Sequence, residues 1–131
     1  MDTYLLSIGW WNFLGSIMMM SMVYQPFGQK MLVEWTQMFK EDFILNYWSK
    51  LWLFWASGLN IFFGLINILA VHWGYADVKL FLILLDIGIY ISFIGLAAWG
   101  LKAGRCGSGI YSALVIFIIW ITWGYLAIHN G

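Results

Sequence analysis

Four apolar segments of about 20 residues each limit what this chain can fold into. They run over residues 4–24, 48–71, 79–101 and 110–128, and each is long enough for a helix to cross a bilayer. Backbone groups in hydrocarbon must pair within the protein, so helices are expected rather than an open sheet. The sequence therefore predicts an all-α integral membrane protein, a four-helix transmembrane bundle forming a single domain over residues 1–131.

The composition indicates that lipid is the solvent. The chain is 63% hydrophobic and 9% charged, whereas soluble domains carry about 25% charged residues. A net charge of zero argues against nucleic acid as a partner. The single cysteine, Cys106, excludes an internal disulfide and a multi-cysteine metal site. The first segment lacks a basic start and a small-residue cleavage site, so we expect it to be a retained span.

The stretch over residues 29–47 is too polar to span the membrane. Polar side chains recur at helical spacing on one face, and large apolar ones recur on another. The polar face holds Lys30, Glu34, Gln37 and Glu41, and the apolar face holds Leu32, Trp35, Phe39 and Phe43. This pattern predicts an interfacial amphipathic helix between spans one and two. The alternative is a helix that packs on the end of the bundle.

The distribution of cationic residues predicts the orientation. Those between spans one and two, or between spans three and four, are Lys30, Lys40, Lys50, Lys102 and Arg105, and only Lys79 falls on the other side. Because basic loops stay in the cytoplasm, we expect loops 25–47 and 102–109 to be cytoplasmic. Both termini then lie outside, in a multi-pass protein of the cell or inner membrane.

Asp86 is the one charged side chain in the middle of an apolar segment. A charged residue at such a depth costs roughly 2.5–3.5 kcal/mol on insertion scales, so some partner must offset it. With the orientation above, Asn12, Asn67 and Asp86 lie roughly 6–12 Å below the outer surface, at 1.5 Å per residue. Three polar groups at one depth on different spans predict a common buried network.

Helical spacing adds two members to this network. Asn60 falls on the same face of the second span as Asn67, and Tyr90 lies one turn from Asp86. The predicted polar network or ion site is therefore Asp86, Asn12, Asn60, Asn67 and Tyr90. A protonated Asp86 hydrogen-bonded to an asparagine would make the network structural, whereas a charged Asp86 would make it a proton or cation site.

Other candidate sites depend on weaker signals. His72 and His129 are expected near the outer surface, where they are weak candidates for a metal or haem. Lys102 and Arg105, in the glycine-rich loop after the third span, are weak candidates for binding an anionic lipid headgroup. No cofactor is required by the sequence, and no Ser–His–Asp or Cys–His arrangement can be assembled, so an enzyme is the least supported class.

Three functions remain open. The first is a small non-catalytic membrane subunit that packs within a larger membrane protein complex, with other integral subunits, copies of itself and lipids as partners. Gly88, Ser92 and Gly95 favour it, because small residues opposite Asp86 would allow another helix to approach closely. The alternative is a homo-oligomeric small channel, or a proton- or cation-coupled transporter, that uses Asp86. A weaker alternative is a haem- or quinone-binding redox subunit.

Overall fold

The computed structural model describes residues 1–24 and 47–130, with side chains at 1–21 and 47–130. Within these ranges the chain forms α1 (Asp2–Tyr24), α2 (Tyr47–Trp73), α3 (Ala76–Lys102) and α4 (Gly109–Asn130). Each helix contains one predicted apolar segment, and the all-helical prediction is confirmed for the described residues. The interfacial helix expected over 29–47 falls outside them, except for Tyr47, where α2 begins.

Three of the described helices, α2, α3 and α4, are long and apolar enough to cross a membrane. Large apolar side chains cover their outward surfaces; Trp52 of α2 and Leu96 of α3 are both more than 60% exposed. In water such a surface would drive aggregation, whereas in hydrocarbon it carries no solvation penalty. The helices therefore agree with a multi-pass membrane protein.

The connections that the structure describes are short. Gly74 and Tyr75 join α2 to α3, and the Gly74 amide donates to the Ala70 carbonyl, which ends α2. After α3, Gly104 has a φ of 70°, and its amide donates to the carbonyl of Leu101. This left-handed conformation is open to glycine and strained for other residues. These short turns make α3 antiparallel to α2 and α4 antiparallel to α3. Because Asp2 of α1 also pairs with Lys79 of α3, the start of α1, the α2–α3 turn and the end of α4 share one end of the molecule.

The helices associate mainly as two pairs, α1 with α2 and α3 with α4. Gly9 and Gly64 form the closest approach in the first pair. A Cβ built on Gly64 would lie 2.7 Å from the Gly9 carbonyl oxygen and 3.0 Å from the Phe13 amide nitrogen. The reciprocal Cβ on Gly9 would lie 2.8 Å from the Gly64 carbonyl oxygen. Only two glycines permit this backbone contact, which is how small residues act in membrane helix packing.

A buried core joins the two pairs. Its buried members are Tyr4, Leu5 and Ile8 of α1, Ala70 of α2, Leu82, Ile83 and Tyr90 of α3, and Trp120 of α4. The Tyr4 ring packs edge-on against Trp120 and Trp123, with centroids 6.1 and 5.9 Å away. All four helices thus contribute to one interior, and the polar groups that lie between the pairs are shielded by it.

Candidate functional site: a buried polar cluster

Asp86 lies on the inward face of α3, between the two helix pairs. The residue is only 1% exposed. On this face it is flanked by the core residues Ile83 and Tyr90, one turn away on either side. The apolar pattern of α3 explains the placement, because an acidic side chain in the middle of so apolar a helix is costly to expose to lipid.

Asn67 of α2 is the hydrogen-bond partner of Asp86. Its amide nitrogen donates to the Phe63 carbonyl oxygen at 3.1 Å and to Asp86 Oδ1 at 3.4 Å. The residue is completely buried. The bond to the Phe63 carbonyl fixes which way the amide faces, because only the nitrogen can donate to a backbone oxygen. The Asn67–Asp86 bond therefore joins α2 of one pair to α3 of the other.

A second polar contact joins α1 to α3. The Tyr90 hydroxyl donates to Asn12 Oδ1 at 3.4 Å. Tyr90 lies one turn beyond Asp86 and also interacts with it electrostatically. The structure thus brings Asn12, Asn67, Asp86 and Tyr90 into one cluster, which contacts both helix pairs.

Three atoms of this region are buried and have no hydrogen-bond partner among the described residues. They are Asp86 Oδ2, Asn67 Oδ1 and the Tyr4 hydroxyl oxygen. Tyr4 is 1% exposed and close enough to Asp86 for the two to interact electrostatically. Unpaired polar atoms at such depth are costly, and they mark the part of the cluster where a proton, water or ion would be accommodated.

Asn60 is not part of the cluster. It is exposed on α2, although Ser57, Gly64 and Asn67, which follow helical spacing near it on α2, are buried. The α1–α2 contact is closest at Gly9 and Gly64. Helical spacing shows which residues share a face of α2. How much of the width of that face is covered depends on how the neighbouring helices cross α2. Asn60 therefore faces outward, although the helical spacing it shares with Asn67 predicted a buried position.

The weaker candidates all lie on the surface. His72 and His129 are exposed, and the His129 ring packs on Tyr125 with centroids 4.4 Å apart. In the described part of the chain, no three His, Cys, Asp or Glu residues lie close enough together to hold a metal. Lys102 and Arg105 are both exposed around the α3–α4 turn, where their charges reach the headgroup layer if α3 and α4 span the bilayer.

An ion pair lies at the end of the molecule that holds the α2–α3 turn. Lys79 Nζ is 2.8 Å from Asp2 Oδ1, and the Asp2 side chain is 55% exposed. The hydrogen bond and charge of Lys79 hold the pKa of the Asp2 carboxyl below its ordinary value. An open pocket of about 420 Å³ lies beside this pair, lined by Met1, Asp2, Thr3, Ala76 and Lys79.

Tyr4 is the member of the region that the sequence patterns did not single out. It lies at the edge of the first apolar segment, where tyrosine is usual at the headgroup level. Its signal was its spacing: Tyr4, Ile8 and Asn12 follow every fourth residue and share one face of α1. The structure turns that face inward, and the Tyr4 hydroxyl reaches the small space beside Gly124 of α4.

No known protein family, curated protein or solved structure matches this chain.

Proposed function

We propose that this chain is a small non-catalytic integral membrane subunit, a transmembrane bundle of all four helices that packs within a larger membrane protein complex. The observation that carries the proposal is the division of α3 into two packing faces. Its inward face holds Leu82, Ile83, Asp86, Tyr90 and Ala97, which are all buried. Its outward face holds Gly88, Ser92 and Gly95, which are all exposed.

The outward face of α3 has the properties of a helix-docking surface. A Cβ built on Gly88 or Gly95 would meet no atom of the described residues within 4 Å. The Ser92 hydroxyl donates to the Gly88 carbonyl at 2.9 Å, so it presents little unsatisfied polarity. Small residues at this spacing let a second helix approach closely, and van der Waals packing then drives association in lipid. The favoured occupant is a transmembrane helix of another subunit.

The buried cluster supports a structural role for the inward face. Asp86 is enclosed within a single chain, whereas a pore between identical subunits would be lined by residues on the outside of each copy. Its bond to Asn67 links the two helix pairs, and hydrogen bonds of this kind stabilise membrane helix contacts by about 0.6 kcal/mol on average. The cluster thus holds the subunit together while the outer faces meet its partners.

The proposed topology places α1 across the membrane beside the three apolar helices, with both termini outside and loops 25–47 and 102–109 in the cytoplasm. Lys50, Lys102 and Arg105 fall at the proposed cytoplasmic end. Lys79, at the opposite end, forms an ion pair with Asp2. The excess of cations at one end supports this orientation, because basic residues flanking spans are retained in the cytoplasm.

The proposal can be tested with leucine substitutions at two exposed glycines, one on the outward face of α3 and one on α1. Gly88→Leu fills the outward face of α3, and Gly15→Leu adds the same side chain on α1, where a Cβ would also meet nothing within 4 Å. Both variants should fold, because neither glycine is enclosed. The chain and its variants are expressed in their native membrane and extracted in mild detergent, and the size of the complex is measured on native gels.

The proposal predicts that the wild type and Gly15→Leu migrate in a complex with other integral subunits, and that Gly88→Leu migrates as the free chain. Recovery of the wild type as a homogeneous single-subunit species would contradict it. So would a Gly88→Leu variant that assembles as well as Gly15→Leu.

A proton-coupled transport role is the second candidate, and the unpartnered Asp86 Oδ2 favours it. A transport site must bind and release its ion, which an incompletely paired acid could do. The discriminating measurement is flux in reconstituted vesicles made with the wild type and with Asp86→Asn. Flux that is present in the wild type and lost in the variant supports transport. Absence of flux, or flux that Asp86→Asn leaves unchanged, removes Asp86 from such a role.

A further inference from the structure

Asn67 and Asp86 each have one buried oxygen atom without a hydrogen-bond partner among the described residues. One hydrogen bond already joins the two side chains, from the Asn67 amide nitrogen to Asp86 Oδ1. The atoms left over are the Asn67 oxygen and Asp86 Oδ2, and both are buried acceptors without a donor. The amide cannot turn over to help, because its nitrogen also donates to the Phe63 carbonyl. What this pair lacks is a single donor hydrogen.

We infer that Asn67 and Asp86 form a proton-binding site, in which the Asp86 carboxyl group takes one proton on Oδ2 and donates it to the Asn67 oxygen. The acid and the amide would then exchange two hydrogen bonds and close a ring. The balance is simple: the carboxylate and one proton from water give the neutral acid. The inference concerns the isolated chain and holds whether or not a partner subunit exists.

The groups that face Asp86 favour a proton over a metal cation. Tyr4 of α1 and Tyr90 of α3 are neutral hydroxyls, Asn67 of α2 is a neutral amide, and the described inward residues of α4, Trp120 and Gly124, carry no charge. The nearest cation along α3, Lys79, lies two turns away and is paired with Asp2. Ca²⁺ and Mg²⁺ take about six or more oxygen ligands, whereas the unpaired buried oxygens of this region in the described residues are three, Tyr4 Oη, Asn67 Oδ1 and Asp86 Oδ2.

The Asn67 nitrogen lies 3.4 Å from Asp86 Oδ1, which is long for a hydrogen bond. An ionised Asp86 would therefore have one weak donor at Oδ1 and none among the described residues at Oδ2, at 1% exposure. Burial of a carboxylate with so little compensation is costly, which favours the neutral acid. The open pocket beside Lys79 lies about 10 Å along α3 from Asp86, at 1.5 Å per residue.

Infrared spectroscopy of the purified chain in lipid tests the inference directly. The spectrum of Asp86→Asn is subtracted from that of the wild type at neutral pH. Asparagine reproduces the donor and acceptor of the protonated acid, so this variant should fold. The control is Asp77→Asn, which removes an exposed acid from the same helix. The inference predicts the carbonyl stretch of a protonated carboxylic acid in the first difference, and a carboxylate band in the control.

A second measurement needs no variant at Asp86. Labelling aspartate carboxyl groups with ¹³C should shift the protonated-acid band of the wild type, and the shift should persist in Asp42→Asn, which removes the aspartate outside the described residues. Loss of the shift in Asp42→Asn, or a carboxylate band for Asp86 at neutral pH, overturns the inference. A band that responds to Na⁺ and not to choline also overturns it, because the ligand would then be a cation.

Discussion

The Gly9–Gly64 contact allows a stability prediction whose size follows from measured distances. In Gly64→Ala the new methyl carbon would start 2.7 Å from the Gly9 carbonyl oxygen, and ordinary contact begins at 3.4 Å. The helices must therefore separate by about 0.7 Å at their closest point. Because both opposing atoms, the Gly9 oxygen and the Phe13 nitrogen, are backbone atoms, no side-chain rotation relieves the clash.

The expected cost is about 2–3 kcal/mol, at the upper end of the range for overpacked cores. Alanine forms helix better than glycine by about 1 kcal/mol in water. This higher helix propensity contributes little to the free energy of unfolding here, since a span that has separated from the other helices remains helical in lipid. Gly58→Ala on the same helix is the control, because its Cβ would meet nothing within 4 Å. We expect its cost to be within about 0.5 kcal/mol of zero.

Reversible unfolding in mixed micelles, followed by tryptophan fluorescence, measures both variants against the wild type. A double variant, Gly9→Ala with Gly64→Ala, should cost less than the sum of the single variants, because both changes force the same separation. If Gly64→Ala proves as stable as Gly58→Ala, the α1–α2 crossing is not built on these two glycines, and the account of the first helix pair fails.

Three further outcomes are expected in the same unfolding assay. Tyr90→Phe removes a long bond to Asn12 and should cost less than about 1 kcal/mol; a larger loss would mean that this bond organises the cluster. Gly124→Ala should cost less than Gly64→Ala, since its neighbours, 3.0–3.1 Å away, are side-chain atoms that can move. Asp2→Asn should lose about 0.2–1 kcal/mol at neutral pH, as exposed ion pairs do. The paired Lys79 lowers the folded-state pKa of Asp2, so this stabilisation exists above the unfolded-state pKa and disappears as pH falls through the folded one. A difference that persisted in acid would contradict the ion-pair explanation.

The helical architecture could be predicted because lipid leaves the backbone few choices. Length and apolarity alone located α2, α3 and α4, and the structure extends each by only a few residues. The inward position of Asp86 followed from the cost of exposing a charge to hydrocarbon. These two predictions needed no knowledge of which helices touch.

The details of the cluster depend on helix crossings, which spacing does not determine. Asn60 and Asn67 share a face of α2, yet Asn67 is buried and Asn60 is exposed, because the neighbouring helices cover only part of the width of that face. Tyr4 resembles an interfacial residue in the sequence but reaches the interior beside Gly124. Both differences arise where the Gly9–Gly64 contact sets how close α1 and α2 come together.

Disulfide trapping in native membranes can test whether Asp86 lies against Asn67 between the two helix pairs. In a Cys106→Ser background, Asn67→Cys with Asp86→Cys should form an intramolecular disulfide rapidly under mild oxidation, detected by mass spectrometry on the monomeric chain. Asn60→Cys with Asp86→Cys is the matched control and should remain reduced, because Asn60 faces outward. Failure of the first pair to cross-link, or equal cross-linking of the two pairs, would contradict the account.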